Sequence, residues 1–315
     1  MRQPAIGKQR RKLVLVGGPT ASGKSELALR LAEQFNGVVI NADSMQVYAD
    51  LQILTARPGP AELARAPHRL YGTMPAAHAC SAAEWRALAL AEIEAAEAAG
   101  KLPVLVGGSG LYFRALLEGL APVPEIPPAI RDAARALHRE LGGAGFHAAL
   151  AERDPAMATR LKPGDSQRLV RAYEVKLATG RSLADWQSEQ AEDAILHDYR
   201  MLVLEPPRPE LYAQCDARFL RMLEQGALAE AAALAAQRLD PDLPAMKALG
   251  VTELLGHLVG QSNLAAATAA AQQATRRYAK RQSTWFRHQI DASKALRTQF
   301  SESSEAEIFA FIRSF

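Results

Sequence analysis

The chain has 315 residues, 49% of them hydrophobic and 23% charged, with 37 Lys and Arg against 34 Asp and Glu. This ordinary globular usage, at a length suited to roughly two domains, excludes a disordered tail or a collagen-like fibre. A net charge of +3 does not by itself mark a nucleic-acid partner. Aromatics make up only 6%, so the core is expected to be aliphatic. Two distant cysteines, Cys80 and Cys215, form neither a metal cluster nor a disulfide framework and suit a reducing compartment. No uninterrupted apolar stretch reaches membrane-spanning length, and the basic stretch Met1 to Lys12 leads into a strand and a glycine loop rather than a cleavage region. The expectation is a cytoplasmic monomer with no membrane partner.

Leu13 to Val16 is a short apolar run ending in Gly17-Gly18, which suits a buried parallel strand. A helix is expected from Gly23 to Phe35, with Leu27, Ala28, Leu31, Ala32 and Phe35 on one face. Val38 to Ile40 reads as the next strand, ending at Asn41-Ala42-Asp43. Ser81 with Glu84 reads as a capping box, and Gly100 closes the helix it opens. Leu102 to Val106 is a third strand, entering Gly107-Gly108-Ser109-Gly110, and Met201 to Leu204 a later one. Strands alternating with helices imply a parallel sheet with right-handed crossovers. Between them the chain turns Pro-rich after Gly119, and then helical from Ala129 to about Gln190. Asp154-Pro155 opens one helix, Asp165 or Ser166 caps another, and Gly180 ends it. Residues 120–199 thus read as a helical insertion in a core made of 1–119 and 200–315. The last third reads as Ala-rich helix throughout.

Gly18-Pro19-Thr20-Ala21-Ser22-Gly23-Lys24-Ser25 satisfies G-x-x-x-x-G-K-[ST], with a strand before it and a helix after. Glycines let the backbone wrap phosphate oxygens, and the successive N–H groups and the helix N-terminus face the anion. Lys24 adds a cation, and the Ser25 hydroxyl can ligate Mg²⁺. The motif signals a diphosphate or triphosphate without saying what carries it.

Three further segments bear on identity: Asn41 to Tyr48, Val106 to Phe113, and Thr275 to Arg287. With the phosphate loop, they resemble the bacterial tRNA dimethylallyltransferases. The resemblance runs from about residue 13 to 290 and takes in Ala66 to Leu70, Asp165 to Leu169 and Met222 to Gly226. It implies a P-loop NTPase-like α/β sheet flanked by helices, with an inserted all-helical tRNA-binding domain. It also implies transfer of a dimethylallyl group from dimethylallyl diphosphate to N6 of the adenosine 3′-adjacent to the anticodon, with Mg²⁺ as cofactor. The partner implied is the tRNA anticodon stem-loop.

By this resemblance Asp43 is the general base for the amine proton, a role suited to a carboxylate at a strand's C-terminal end. Ser109 donates to the diphosphate or caps the helix after it, and both roles are compatible. Arg218 neutralises the leaving group. The tRNA contacts implied are Asp43, Ser44, Met45, Gln46 and Ser109 around the base, and Arg131 with Gln167, Arg168, Leu169, Val170 and Arg171 on the insertion. Lys247 and Gly250 belong to another matching stretch. Arg277, Lys280 and Arg281 lie, with Arg276, Arg287 and His288, within roughly 140° of one helical wheel. The chain departs from the family pattern at Leu54 and Arg57, where Gly and Lys are common, and at Gln214 and Cys215. The rival readings are a P-loop small-molecule kinase, an isopentenyltransferase acting on free AMP, and a non-enzymatic RNA-binding protein.

Overall fold

The computed structural model describes residues 12–189, 195 and 197–315, so most of the basic N-terminal stretch and Gln190 lie outside the described residues. The chain divides into two compact units, one of Met1–Leu117 with Leu196–Phe315 and one of Glu118–Ile195.

The first unit is built on six parallel strands in the order β3-β2-β4-β1-β5-β6. They are β1 (Lys12–Gly17), β2 (Gly37–Asn41), β3 (His68–Arg69), β4 (Leu102–Gly107), β5 (Asp198–Leu204) and β6 (Lys294–Leu296). The apolar runs of β1, β2 and β4 are buried on both faces, as a helix-covered parallel sheet requires. Helix α1 (Lys24–Gln34) lays Leu27, Ala28, Leu31 and Ala32 on Val14, Val16, Val104 and Val106. The short α2 (Pro60–Arg65) follows, and α3 (Ala82–Ala98) buries Trp85, Ala89 and Ile93. The Ser81 hydroxyl caps α3 by accepting from Glu84 N at 3.1 Å. The expected return bond of a capping box is not made, because the Glu84 carboxylate pairs with His78 Nε2 at 2.8 Å.

After α4 (Gly110–Glu118) the chain enters the second unit and returns to β5. Asp198 and Tyr199, expected within the helical insertion, instead pair with Lys12 and Leu13 in the sheet. The remaining helices of the first unit are all C-terminal to β5. They are α9 (Arg208–Glu224), α10 (Ala227–Ala236), α11 (Val251–Leu258), α12 (Leu264–Gln289) and α13 (Glu305–Arg313), numbered after the four of the second unit given below. The last third is therefore not helix throughout: Lys294–Leu296 extends the sheet beside β5, and α13 packs Ile308 and Ile312 onto the core.

The second unit holds α5 (Pro128–Arg153), α6 (Pro155–Arg160), α7 (Ser166–Thr179) and α8 (Leu183–Ser188) around Phe146, Leu150, Leu169 and Val175. Helix α5 breaks at Gly142. Asp154 is buried and caps α6, accepting from Met157 N at 3.1 Å and from the Ser182 hydroxyl at 2.9 Å. Asp165 precedes α7 without capping it; its carboxylate accepts from Lys162 N instead. No helix among the described residues is long and apolar enough to cross a membrane.

Candidate active site

The register pairs Gly17 with Gly107 and Asn41 with Val106, so β1, β2 and β4 end side by side. Their exits form three adjoining loops at the sheet edge where parallel α/β proteins place ligands.

The first is the phosphate loop. Gly23 precedes α1 with φ of 87°, a left-handed conformation that carries no Cβ penalty in glycine. Lys24 is only 8% exposed and donates from Nζ to the Pro19 carbonyl at 3.2 Å. Burial pulls its ammonium down to about 8, with the Asp43 charge opposing the shift. Ser22 is fully buried and its hydroxyl has no partner among the described residues. An unpaired buried donor is costly until an acceptor arrives, so this loop fits an anion. Ser25 stands exposed in the first turn of α1. Arg218, on α9, donates to the Thr20 hydroxyl at 3.2 Å and to the Thr55 carbonyl at 3.4 Å. Burial lowers its pKa, and Asp43 again opposes.

The second loop carries Asp43. Asn41 shapes it: its side-chain oxygen accepts from Asp43 N at 2.8 Å, and its amide donates to the carbonyls of Asp43 and Leu70. One Asp43 oxygen, Oδ1, accepts from Met45 N at 3.0 Å. Asp43 makes no ion pair among the described residues, yet its charge reaches Lys24, Arg218 and the hydroxyls of Tyr71 and Tyr278. Both phenols are held neutral, chiefly by burial. Gln46 spends its amide N–H₂ on the Thr55 and Ala56 carbonyls, each at 2.9 Å, so its side-chain donors hold the loop. Gln46 and Ser25 line a cavity of about 530 Å³ together with Tyr71, His68 and Leu29.

The third loop is the Gly107–Gly110 turn. The Ser109 hydroxyl accepts from Ser44 N at 2.8 Å and reaches the Ser44 hydroxyl at 3.1 Å. It is thus not spent on capping α4, and it fixes the residue next to Asp43.

Helix α12 packs over the first and third of these loops. Phe286 lies over Gly17 and Trp285 over Gly110, where a methyl group would collide with either ring. Between them Gln282, which lies in the Thr275–Arg287 segment but has no role assigned from sequence, accepts from Thr20 N at 2.8 Å and donates to the Gly108 carbonyl at 2.9 Å. Of the expected basic face, Arg276 is tied to Asp216 of α9, and Arg287 approaches Glu205 at 3.7 Å. Arg277, Lys280, Arg281 and His288 are exposed. Lys247 is exposed and pairs with Asp242 at 2.9 Å, whereas Gly250 is buried against Phe219 and Leu54.

In the second unit, taken by itself, Gln167 and Arg168 face solvent, Leu169 is fully buried and Val170 packs on the core. Arg171 stands 3.7 Å from Glu174, whose carboxyl burial pushes up while Arg171, Arg135 and Arg131 oppose. Three arginines thus gather around one buried acid.

Residues 46–289 match the IPP transferase family model. The chain belongs to this family. A protein named tRNA dimethylallyltransferase from Paramagnetospirillum magneticum is 58% identical over 300 residues, covering 95% of both chains. One of the same name from Rhodospirillum centenum is 61% identical over 285 residues, covering 90% of this chain and 91% of that one. Among solved structures, a eukaryotic dimethylallyltransferase acting on tRNA aligns with a TM-score of 0.78 at 26% identity, over 96% of this chain and 77% of that one. The tRNA isopentenylpyrophosphate transferase of Staphylococcus epidermidis aligns with a TM-score of 0.70 at 31% identity, over 97% and 99%.

The departures from the pattern common in IPP transferases have local structural answers. Cys215 is buried with Leu211 and Ala279 against Ala21 of the phosphate loop, and burial pushes its thiol up to about 11. It serves as a small apolar contact, while Gln214 beside it faces solvent. Leu54 is buried, and its N–H, with those of Gln52 and Ile53, is received by the Glu230 carboxylate at 2.7–2.8 Å. Arg57 donates to the Ala49 carbonyl at 3.2 Å and packs on Gly72.

Proposed function

We propose that this IPP transferase moves a dimethylallyl group from dimethylallyl diphosphate to N6 of the tRNA adenosine 3′-adjacent to the anticodon. The observation that carries the reading is one carboxylate, Asp43, whose charge acts on two cations, buried Lys24 and half-buried Arg218, at the mouth of a phosphate loop. A kinase would also use such a carboxylate, as base for a substrate hydroxyl or as a metal ligand, and the match to the IPP transferase family is what favours prenyl transfer.

In this reading the diphosphate lies on the N–H groups of 22–25, with the Ser22 hydroxyl as donor and Lys24 and Arg218 balancing its charge. The N6 lone pair attacks C1 of the allyl group, the C1–O bond breaks, and its electron pair leaves with the diphosphate. The amine proton passes to the open oxygen of Asp43. The Ser25 hydroxyl suits Mg²⁺, which commonly takes one or two protein oxygens and completes its shell with phosphate and water. When bound, the ion adds positive charge to the leaving diphosphate. The adenine must leave its stack to bring N6 to this half-buried carboxylate. Exposed Arg277, Lys280 and Arg281 on α12 support RNA phosphate contacts, as Arg168 and Arg171 do on the helical unit.

The test offers labelled dimethylallyl diphosphate to the enzyme with anticodon stem-loop RNA and with AMP in parallel. Label in RNA is expected. Label in AMP alone, or in neither, refutes the reading.

A further inference from the structure

Gln282 is 5% exposed, in the last third of α12, and its amide joins two loops that are 262 and 174 residues distant from it in sequence. A terminal amide offers one acceptor and one donor in the same plane, which a backbone N–H on one side and a carbonyl on the other both use. The bond pattern also fixes the orientation of the amide, because the reverse would set N–H against N–H. Phe286 and Trp285, wedged over Gly17 and Gly110, hold this part of α12 in place, so the amide is clamped from both sides.

Each end of the bridge leads to one reactant. Thr20 holds Arg218 through its hydroxyl, which places a cation on the diphosphate side. Gly108 is followed by Ser109, whose hydroxyl fixes Ser44 next to Asp43 on the base side. Asp43 Oδ2 itself lies close over Gly108, 3.4 Å from where a Cβ would sit. The Thr20 N–H is consumed by the amide, so Gln282 removes a phosphate donor from the loop rather than adding one.

We propose that Gln282 is a positioning residue that sets the spacing between the leaving-group cation and the Asp43 carboxylate. The proposal rests on the prenyl-transfer reading above. Transfer requires the breaking C–O bond and the proton acceptor to be held on opposite sides of one reacting pair. A displacement of about 1 Å in such an arrangement costs on the order of a hundredfold in rate. Gln282 touches neither reactant in this scheme, so its loss should appear in kcat rather than in either KM.

Two variants test this, each assayed for label transfer to anticodon stem-loop RNA at a temperature where circular dichroism finds it folded. Gln282→Met keeps length and volume but makes neither hydrogen bond. Its kcat should fall about tenfold to a hundredfold, with KM for RNA and for dimethylallyl diphosphate each within about threefold of wild type. Gln282→Glu separates positioning from packing. Protonated, its carboxyl donates to the Gly108 carbonyl and accepts from Thr20 N as the amide does; ionised, it repels that carbonyl, and burial raises its pKa. Its kcat relative to wild type should therefore climb as pH falls. The proposal is overturned by an unchanged kcat in Gln282→Met, by a loss confined to either KM, or by a Gln282→Glu deficit that does not vary with pH. Wild-type transfer to RNA in the same run reports separately on the prenyl-transfer reading.

Discussion

Asp43→Asn is the cleanest probe of the chemistry, because asparagine keeps an oxygen for the 3.0 Å bond from Met45 N. The loop is otherwise held by backbone groups and by Asn41, Ser44 and Ser109, none of which is altered. What disappears is the charge and the ability to accept a proton. Loss of a positioned base typically costs about 10²- to 10⁴-fold in rate, or ~3–5 kcal/mol at 1.36 kcal/mol per tenfold. Diphosphate affinity should move less, since two effects oppose: repulsion of the incoming anion is removed, while Lys24 loses the charge that holds its pKa up. Single-turnover transfer from labelled dimethylallyl diphosphate, with RNA affinity measured alongside by filter binding, reads both quantities. A rate within threefold of wild type, or a rate loss matched by lost RNA binding, would remove Asp43 from the role of base.

The affinity of the free enzyme for inorganic diphosphate should weaken as pH rises through about 8, where Lys24 loses its proton, and Lys24→Arg should abolish that dependence. Calorimetry in two buffers of different ionisation enthalpy should find proton uptake near pH 8; none would contradict the buried ammonium. Because burial depresses this pKa below its unfolded value, the unfolded chain binds more protons between about 8 and 10.5, and Lys24 adds stability as pH rises through that window. Glu230→Ala strands the N–H groups of Gln52, Ile53 and Leu54 and should lower unfolding stability by about 2–4 kcal/mol in urea titrations, with under 1 kcal/mol refuting the triple cap. Replacing Arg277 and Lys280 with Ala should leave kcat at saturating RNA unchanged but flatten the salt dependence of RNA binding by about 0.7 per lost phosphate contact. An unchanged slope would show that they meet no phosphate.

The parts of this fold written in local sequence were readable: Leu13 to Val16 and the glycine loop announce themselves by periodicity or motif, and the Asn41–Tyr48 segment by its family resemblance. Strands β3 and β6 were not, because His68–Arg69 and Lys294–Leu296 are two- and three-residue edges with no apolar run. In the same way, wheel geometry separated exposed Arg277 from the interior of α12 but said nothing of the partners of Gln282. Those are a backbone N–H and a carbonyl brought near only by the sheet register. Glu230, set in an alanine-rich helix, carried no pattern at all, although it organises a turn through three backbone bonds. Leu169 and Gly250 fell inside matching stretches, and only packing separates them as buried supports from exposed neighbours such as Arg168 and Lys247.

The order β3-β2-β4-β1-β5-β6 puts β1 between β4 and β5, with the remaining strands outside them. The family match, by contrast, begins at residue 46 and stops at 289. A fragment cut at those limits would retain the exposed cations of α12 and the turn at Ser109, but it would lack β1, β2 and β6. β4 and β5 would then face each other across an empty slot with unpaired backbone edges, an arrangement prone to association between chains. The matched stretch thus omits three of the six strands of the sheet, together with the phosphate loop that β1 leads into.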